Sequence, residues 1–275
     1  MLDRRQLLAA YDLQVRPTEH RGLPPGVRAE PDGPIVRVVG RKEGFISAPR
    51  ELGLSGDQVD ALIRRQRDFF AARAEAVEWK LRSHDLPADL PERLTAAGFL
   101  PQEQETVLIG LAKRMAAAGS PPPAGIEVRE AEGEPDLRRI AAMESAVWGE
   151  DRSWLADDLL SRKRADPDGL RILVAAWGDE VVSAAWLEFN PGTEFAGLWG
   201  GSTATGWRRR GIYRALVATR ARLAAAAGYA YLQVDASPQS RPILERLGMV
   251  KVTSTTPYVW SPREGATTPG PGATA

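Results

Sequence analysis

Between residues 198 and 227 the chain passes from an extended strand into a helix through a turn with three arginines and a glycine in a row, Arg208-Arg209-Arg210-Gly211. The stretch Leu198-Trp199-Gly200-Gly201-Ser202-Thr203-Ala204 is β-rich, and Ile212, Leu216, Thr219, Leu223 and Ala227 recur at helical period beyond the turn. A strand that delivers the chain to a helix N-terminus leaves the first amide N–H groups of that helix without intrahelical acceptors, at the positive end of its dipole. Such a turn suits a pyrophosphate. Gly211 has no side chain to hold a phosphate off the backbone, and the arginines can add charge-assisted hydrogen bonds. The alternative is a solvated charge run closed by an ordinary turn glycine, which is how a bare Arg-rich turn reads.

The rest of the chain reads as mixed α and β. The clearest break is 113–125, where Ala116-Ala117-Ala118-Gly119-Ser120-Pro121-Pro122-Pro123-Ala124-Gly125 has the composition of a linker. Before it, Leu2, Leu7, Leu8 and Tyr11 indicate a helix, 34–40 a strand, and Ser55-Gly56-Asp57-Gln58 a capping box opening a helix through Val59, Leu62, Ile63, Gln66, Phe69 and Phe70. Strands at 77–81 and 106–111 flank a helix over 89–97. After the break, strands are expected at 126–130, 170–177, 181–189, 195–204, 229–235, 249–255 and 257–260, with helices at 134–148, 154–165, 211–227 and 241–247. Hairpin signals at Gly178-Asp179-Glu180 and Asn190-Pro191-Gly192 imply a mostly antiparallel sheet covered by helices, an α+β fold. A faint similarity links the halves, Glu92-Arg93-Leu94 before Gly98-Phe99 and Glu245-Arg246-Leu247 before Gly248-Met249. Duplication explains it, and so does the general look of any strand, helix and strand with a glycine cap. The expected organisation is 1–112, a linker at 113–125, a second domain at 126–262 and a disordered tail at 263–275 rich in Gly, Pro, Thr and Ala.

Charge and composition narrow the function. Lys+Arg and Asp+Glu both number 36, so nothing global draws the chain to nucleic acid or an anionic membrane. No cysteine is present, which excludes disulfides, thiolate metal sites and a cysteine nucleophile, and with only two histidines no metal site is expected. No run approaches the roughly 18 apolar residues of a membrane span, and Met1-Leu2-Asp3-Arg4-Arg5 leads into a polar amphipathic stretch, so a cytoplasmic location is expected. No phosphate-loop Gly-Lys-Ser or Gly-Lys-Thr occurs.

Arg208-x-x-Gly211-x-Tyr213, after a strand and before an amphipathic helix, resembles motif A of the GCN5-related N-acetyltransferases, Q/R-x-x-G-x-G/A. The downstream Tyr231-Leu232-Gln233-Val234-Asp235-Ala236, the helix Ser240 to Leu247, Gly248-Met249 and Thr256-Pro257-Tyr258-Val259-Trp260 resemble motif B in order and spacing. The resemblance covers 126–260 and extends loosely to the first half as a degenerate second copy. It implies acetyl-CoA as co-substrate, with Thr203 and Ala204 pairing the pantetheine arm and the amides from Arg209 through Gly211 and Ile212 to Tyr213 cradling the pyrophosphate beside Arg208 and Arg210. Ser237 and Ser240 complete the implied cofactor site. Three departures stand out: Tyr213 replaces a small residue, Ser237 stands where many members have Asn, and Leu244 stands where many have the tyrosine that protonates the departing thiolate. The first half lacks an Arg-x-x-Gly turn and is expected not to bind CoA.

Acetyl transfer needs a neutral amine, hence a proton acceptor, and an oxyanion stabiliser at the thioester carbonyl. Glu188 and Glu194 flank the hairpin before the cofactor strand, and Glu144 falls on the apolar stripe of Leu137, Ile140, Ala141, Val147 and Trp148, where desolvation would favour a base. Tyr258 is a further proton donor candidate. Each has a plainer reading as a rim carboxylate or core tyrosine. Seven of eight tryptophans follow the break; Trp148 and Trp154 bracket the loop that in this family roofs the acceptor pocket, though tryptophans also dominate cores generally. His84 and Asp85 lie in a loop without a nucleophile, and a turn role suits Asp85. The expected activity is transfer from acetyl-CoA to a small-molecule amine through a ternary complex, with oligomeric state open. The rival is a non-catalytic acyl-CoA sensor or interaction module.

Overall fold

The structure, a computed structural model, describes residues 3–262. The expected tail at 263–275, and Leu2, lie outside the described residues. Over the described residues the chain divides into two compact units: one takes 3–107 and 252–262, the other Leu108–Lys251. In chain order the first unit supplies α1 (Arg4–Gln14), β1 (Arg28–Asp32), β2 (Ile35–Val39), β3 (Gly44–Ser47), α2 (Asp57–Ala71), β4 (Val77–Arg82), α3 (Leu90–Ala96) and β5 (Leu100–Pro101). After β6 (Glu105–Leu111), on which the division falls, the second supplies α4 (Ala112–Ala117), β7 (Glu127–Glu130), α5 (Gly133–Trp148), α6 (Trp154–Ala165) and β8 (Leu170–Trp177). It continues with β9 (Glu180–Phe189), β10 (Phe195–Thr203), α7 (Ile212–Ala226), β11 (Tyr231–Ala236) and α8 (Arg241–Arg246). The last strand, β12 (Val250–Trp260), belongs from Val252 on to the first unit.

In the first unit β1, β2, β3, β4 and β12 lie side by side; β3 and β4 are parallel and the other neighbours antiparallel. The apolar stripe of α2, Val59, Leu62, Ile63 and Phe70, closes on Trp79, Leu81, Leu94, Phe99 and Tyr258. Each such side chain contributes roughly 1.5–3 kcal/mol on full burial. A Cβ at Gly44 would stand 2.1 Å from the Phe70 ring, so α2 docks only because β3 opens on a residue without one.

In the second unit β7, β8, β9 and β10 form an antiparallel meander, and β11 joins β10 in parallel. Helices α5 and α6 cover one face, with Leu137, Ile140, Leu155 and Leu159 on Ile172, Val174 and Trp186. The other face is covered by α7, through Ile212 and Leu216 on Leu173, Val182 and Ala185, and through Val217 and Ala221 on Leu198, Leu232 and Val234. Both units are thus α+β, with a mixed, mostly antiparallel sheet. No helix among the described residues is long and apolar enough to cross a membrane.

The structure departs from the sequence reading in four places. Residues 112–117, expected within or beside a linker, form α4, because the segment has a core to pack on: Ala112 and Met115 are buried with Val217 and Ala221 of α7, and a Cβ at Gly119 would meet Ala218 at 2.1 Å. The strands expected at 249–255 and 257–260 are one strand, which runs through Pro257 because its carbonyl still accepts the Gln102 N–H at 2.8 Å. From Val252 that strand belongs to the first unit, so the compact units are not the expected 1–112 and 126–262. The capping box at Ser55 does not form: Gly56, at φ +53°, is the N-cap of α2, and Ser55 offers Gln58 only its carbonyl.

Candidate active site

The site is organised by where one pair of strands stops pairing. Strands β10 and β11 pair over three rows, Phe195 with Tyr231, Ala196 with Leu232 and Gly197 with Gln233. Beyond Gly197, β10 stays on β9 while β11 runs on to Ala236, so the two diverge. A bulge between Trp199 and Ser202 breaks the β9–β10 register at the same level. Gly200 within it has φ +62°, and a Cβ there would fall 2.1 Å from the Trp186 ring, so conformation and packing both demand glycine.

From Thr203 the chain makes a short 3₁₀ turn and reaches α7 through Arg209 at φ +62° and Gly211, its N-cap, at φ +87°. Nothing lies within 4 Å of where a Gly211 Cβ would be, so the space above the turn is open. Arg208, Arg209, Arg210 and Gly211 are exposed, and Arg210 stacks over Trp207 at 4.8 Å. The first N–H groups of α7 have no intrahelical acceptor. Open space, free amides and exposed guanidinium groups at a helix N-terminus are a donor set that fits a diphosphate.

Residues 135–249 match the family model described as the Acetyltransferase (GNAT) family. They form a GNAT domain. Similar solved structures include a GCN5-related N-acetyltransferase from Kribbella flavida, with TM-score 0.67, 16% identity and coverage of 97% of this chain and 98% of that one. Another, a GCN5-related N-acetyltransferase from Sphaerobacter thermophilus, has TM-score 0.61, 17% identity and coverage of 99% and 94%. A tandem GNAT protein from the clavulanic acid biosynthesis pathway has TM-score 0.61, 13% identity and 95% coverage of both chains. At these identities the likeness is one of fold. No curated protein sequence matches the chain.

Within the GNAT domain several expected cofactor contacts are already engaged by the protein. The Ala204 N–H donates to Val182 O at 2.9 Å, and the Thr203 carbonyl accepts from Arg208 Nε at 3.0 Å. Thr203 Oγ1 sits 2.8 Å from Ser183 Oγ. Neither backbone group is free to pair with a pantetheine arm. Ser237 and Ser240 close the turn into α8: Ser237 Oγ accepts the Ser240 N–H at 3.2 Å, and the Ser237 carbonyl accepts from Arg241 N at 2.9 Å. Leu244 is fully buried in the α7–α8 core. The Tyr213 ring packs against that same core, and burial raises its phenol pKa.

On the α5–α6 face, Glu144 is buried, as its place on the apolar stripe suggested. Its Oε2 accepts from Trp148 Nε1 at 2.7 Å and Arg152 Nη1 at 3.1 Å, while Oε1 is buried without a partner. Glu188 stands in one row with Gly197 and Gln233 across β9, β10 and β11, and is ion-paired with Arg162. Glu194 serves through its carbonyl, which accepts the Ala230 and Tyr231 N–H groups. Trp148 and Trp154 are both exposed.

Tyr258 is not brought to this face. It lies on β12 opposite Trp79 in the core of the first unit, where burial and then Glu92 raise its pKa. His84 and Asp85 point apart. His84 bonds Asp12 at 3.0 Å and Thr253 Oγ1 at 2.8 Å, and Asp85 takes Arg16 at 2.6 Å and the Arg82 N–H at 2.9 Å.

One residue of the site escaped the sequence reading. Arg220 is fully buried, with Nη1 on the carbonyls of Trp186 and Trp199, each at 3.2 Å. Its signal was available, since Ile212, Leu216, Arg220 and Ala224 form an i, i+4 ladder in which one rung is charged. Among the described residues no group of three or more His, Asp or Glu could hold a metal ion.

Proposed function

We propose that the GNAT domain transfers an acetyl group from acetyl-CoA to the amine of a small molecule, directly, within a ternary complex. The observation that carries the proposal is the three-row β10–β11 pair, whose divergence past Gly197 leaves an opening between β10 and β11, with the turn into α7 at the end of β10. The amides from Arg209 to Tyr213 would hold the diphosphate, with Arg208, Arg209 and Arg210 adding charge. Acetyl-CoA supplies the activated acyl group as a thioester. On the other face the unpartnered Oε1 of Glu144 is the carboxylate oxygen free to hold an ammonium group and take its proton. Glu144 and Glu188 are both ion-paired, with Arg152 and Arg162, and what sets Glu144 apart is the oxygen that makes no hydrogen bond.

Calorimetry with acetyl-CoA, followed by assay of free thiol across a panel of amines, tests the proposal. Binding with thiol release is expected; absence of heat would remove it. A second reading, binding without turnover, draws on Leu244, which puts no hydroxyl where the departing thiolate needs one. Binding without thiol release from any amine would select that reading.

A further inference from the structure

Two buried side chains of α7, Arg220 and Tyr213, lie beside one another, and each keeps a polar atom without a hydrogen bond of normal geometry. Arg220 Nη2 is buried without a hydrogen-bond partner, although Nη1 and Nε are satisfied by the carbonyls of Trp186, Trp199 and Leu216. Those acceptors are neutral, and burial without a counter-ion brings the guanidinium pKa down to about 10. The Tyr213 hydroxyl, two turns earlier on α7, is also buried and makes no hydrogen bond of normal geometry. Its polar neighbours are Arg220 and Ser240, and the Ser240 hydroxyl is turned to Ser237 at 3.2–3.3 Å. A buried donor left unpaired costs stability. Adjacent as they are, a hydroxyl and a guanidinium can together receive a negative charge that arrives during reaction, which is where preorganised donors lower a barrier.

Their position fits that charge. Trp186 and Trp199, whose carbonyls hold Arg220, are partners in the last β9–β10 row before the bulge, two residues past the last β10–β11 row at Gly197. This is the closed end of the opening. Resting on the cofactor reading above, we infer that the Tyr213 hydroxyl and Arg220 Nη2 receive the sulfur of CoA there, Tyr213 giving its proton to the departing thiolate and Arg220 holding the charge left behind. The amine nitrogen forms the new bond to the carbonyl carbon, the C–S bond breaks with its electron pair on sulfur, and the Tyr213 proton passes to that sulfur. The phenolate, held by the guanidinium, regains a proton from solvent as the amine releases one. A hydroxyl from α7 thus does what Leu244 on α8 cannot.

The test compares calorimetric affinity for CoA and for desulfo-CoA in the unmodified chain and in Tyr213→Phe. Unmodified protein should bind CoA about fivefold more tightly than desulfo-CoA, the worth of one hydrogen bond. Tyr213→Phe should bind the two equally, with its affinity for desulfo-CoA unchanged. Its kcat should fall about a hundredfold at constant KM for acetyl-CoA. Its melting temperature should hold or rise, because an unsatisfied hydroxyl has been removed. Equal affinities in the unmodified protein overturn the inference and leave the cofactor reading standing; binding of neither overturns both. A melting temperature that falls would show the hydroxyl to be satisfied within the fold, and would also sink it.

Discussion

Each unit stands an arginine beside its parallel strand pair, and the two arginines are treated differently. In the first unit Arg16 bridges the ends of β3 and β4, donating to Ala48 O at 2.9 Å and to Asp85 at 2.6 Å, and Asp85 is tied in turn to the Arg82 N–H. The chain beyond those strands pairs again, with Leu86 N on Arg50 O and Leu52 N on Leu86 O. The gap is sealed and its charge neutralised. In the second unit Arg220 has carbonyls but no carboxylate, β10 and β11 do not meet again after Gly197, and the turn into α7 is basic where the first turn of α2 carries Asp57 and Asp60. One architecture can thus be closed by its own side chains or left open, and the two arginines differ accordingly in having a counter-ion.

The contrast is broken most severely at Asp85. Asp85→Asn removes the nearer of two carboxylates on a buried guanidinium, leaving Asp12 at 3.4 Å, and urea unfolding should show a loss of about 3 kcal/mol, whereas Arg220→Met, which removes a charge with no carboxylate partner, should cost well under that. Next comes the pair of left-handed glycines opening α2 and α7. Gly211→Val should weaken acetyl-CoA binding about a hundredfold by calorimetry, through a backbone conformation valine resists. Gly56→Val carries the same kind of strain but should change only stability, by about 1–2 kcal/mol.

The units should also answer pH in opposite senses. Glu43, in the first unit, is raised to about 7 by burial and then by Glu78. Its folded pKa exceeds its unfolded one, so its contribution is intact below about pH 4.5 and is lost as pH rises through 7. Glu43→Gln should therefore stabilise this unit by about 2 kcal/mol at pH 8 and hardly at pH 4.5. Asp136, in the second unit, is held at about 2 chiefly by the Arg129 hydrogen bond, so its contribution is present above 3.8 and is lost as pH falls toward 2. Hydrogen exchange resolved by unit and read across pH checks both. The smallest effects belong to the exposed arginines: each of Arg208→Gln, Arg209→Gln and Arg210→Gln should lower acetyl-CoA affinity only a few-fold, and less at high salt.

Much of this was legible in the residues themselves. The meander over 170–203 and the amphipathic α5, α6 and α7 follow from periodicity and glycine placement, and the exposed basic turn follows from Arg208 to Gly211 opening a helix. What escaped was decided by partners far away in sequence. Gly44–Ser47 is too short to show a period, and becomes β3 only between β2 and β4. Tyr258 looked like part of the cofactor domain because it follows it in the chain, yet Trp79 is its neighbour across the strands. Thr203 ends β10 and Ala204 follows it, but which way a strand's polar groups face depends on a register that Gly200 resets.

The position of β12 bears on biogenesis. The strand that pairs β4 along 77–82 is made from residues 255–260, so a ribosome must complete nearly all of this sequence before the first unit has its full sheet. Until then Trp79 and its neighbours lack Tyr258, and a chain cut short after Lys251 leaves that apolar surface open to chaperones and proteases.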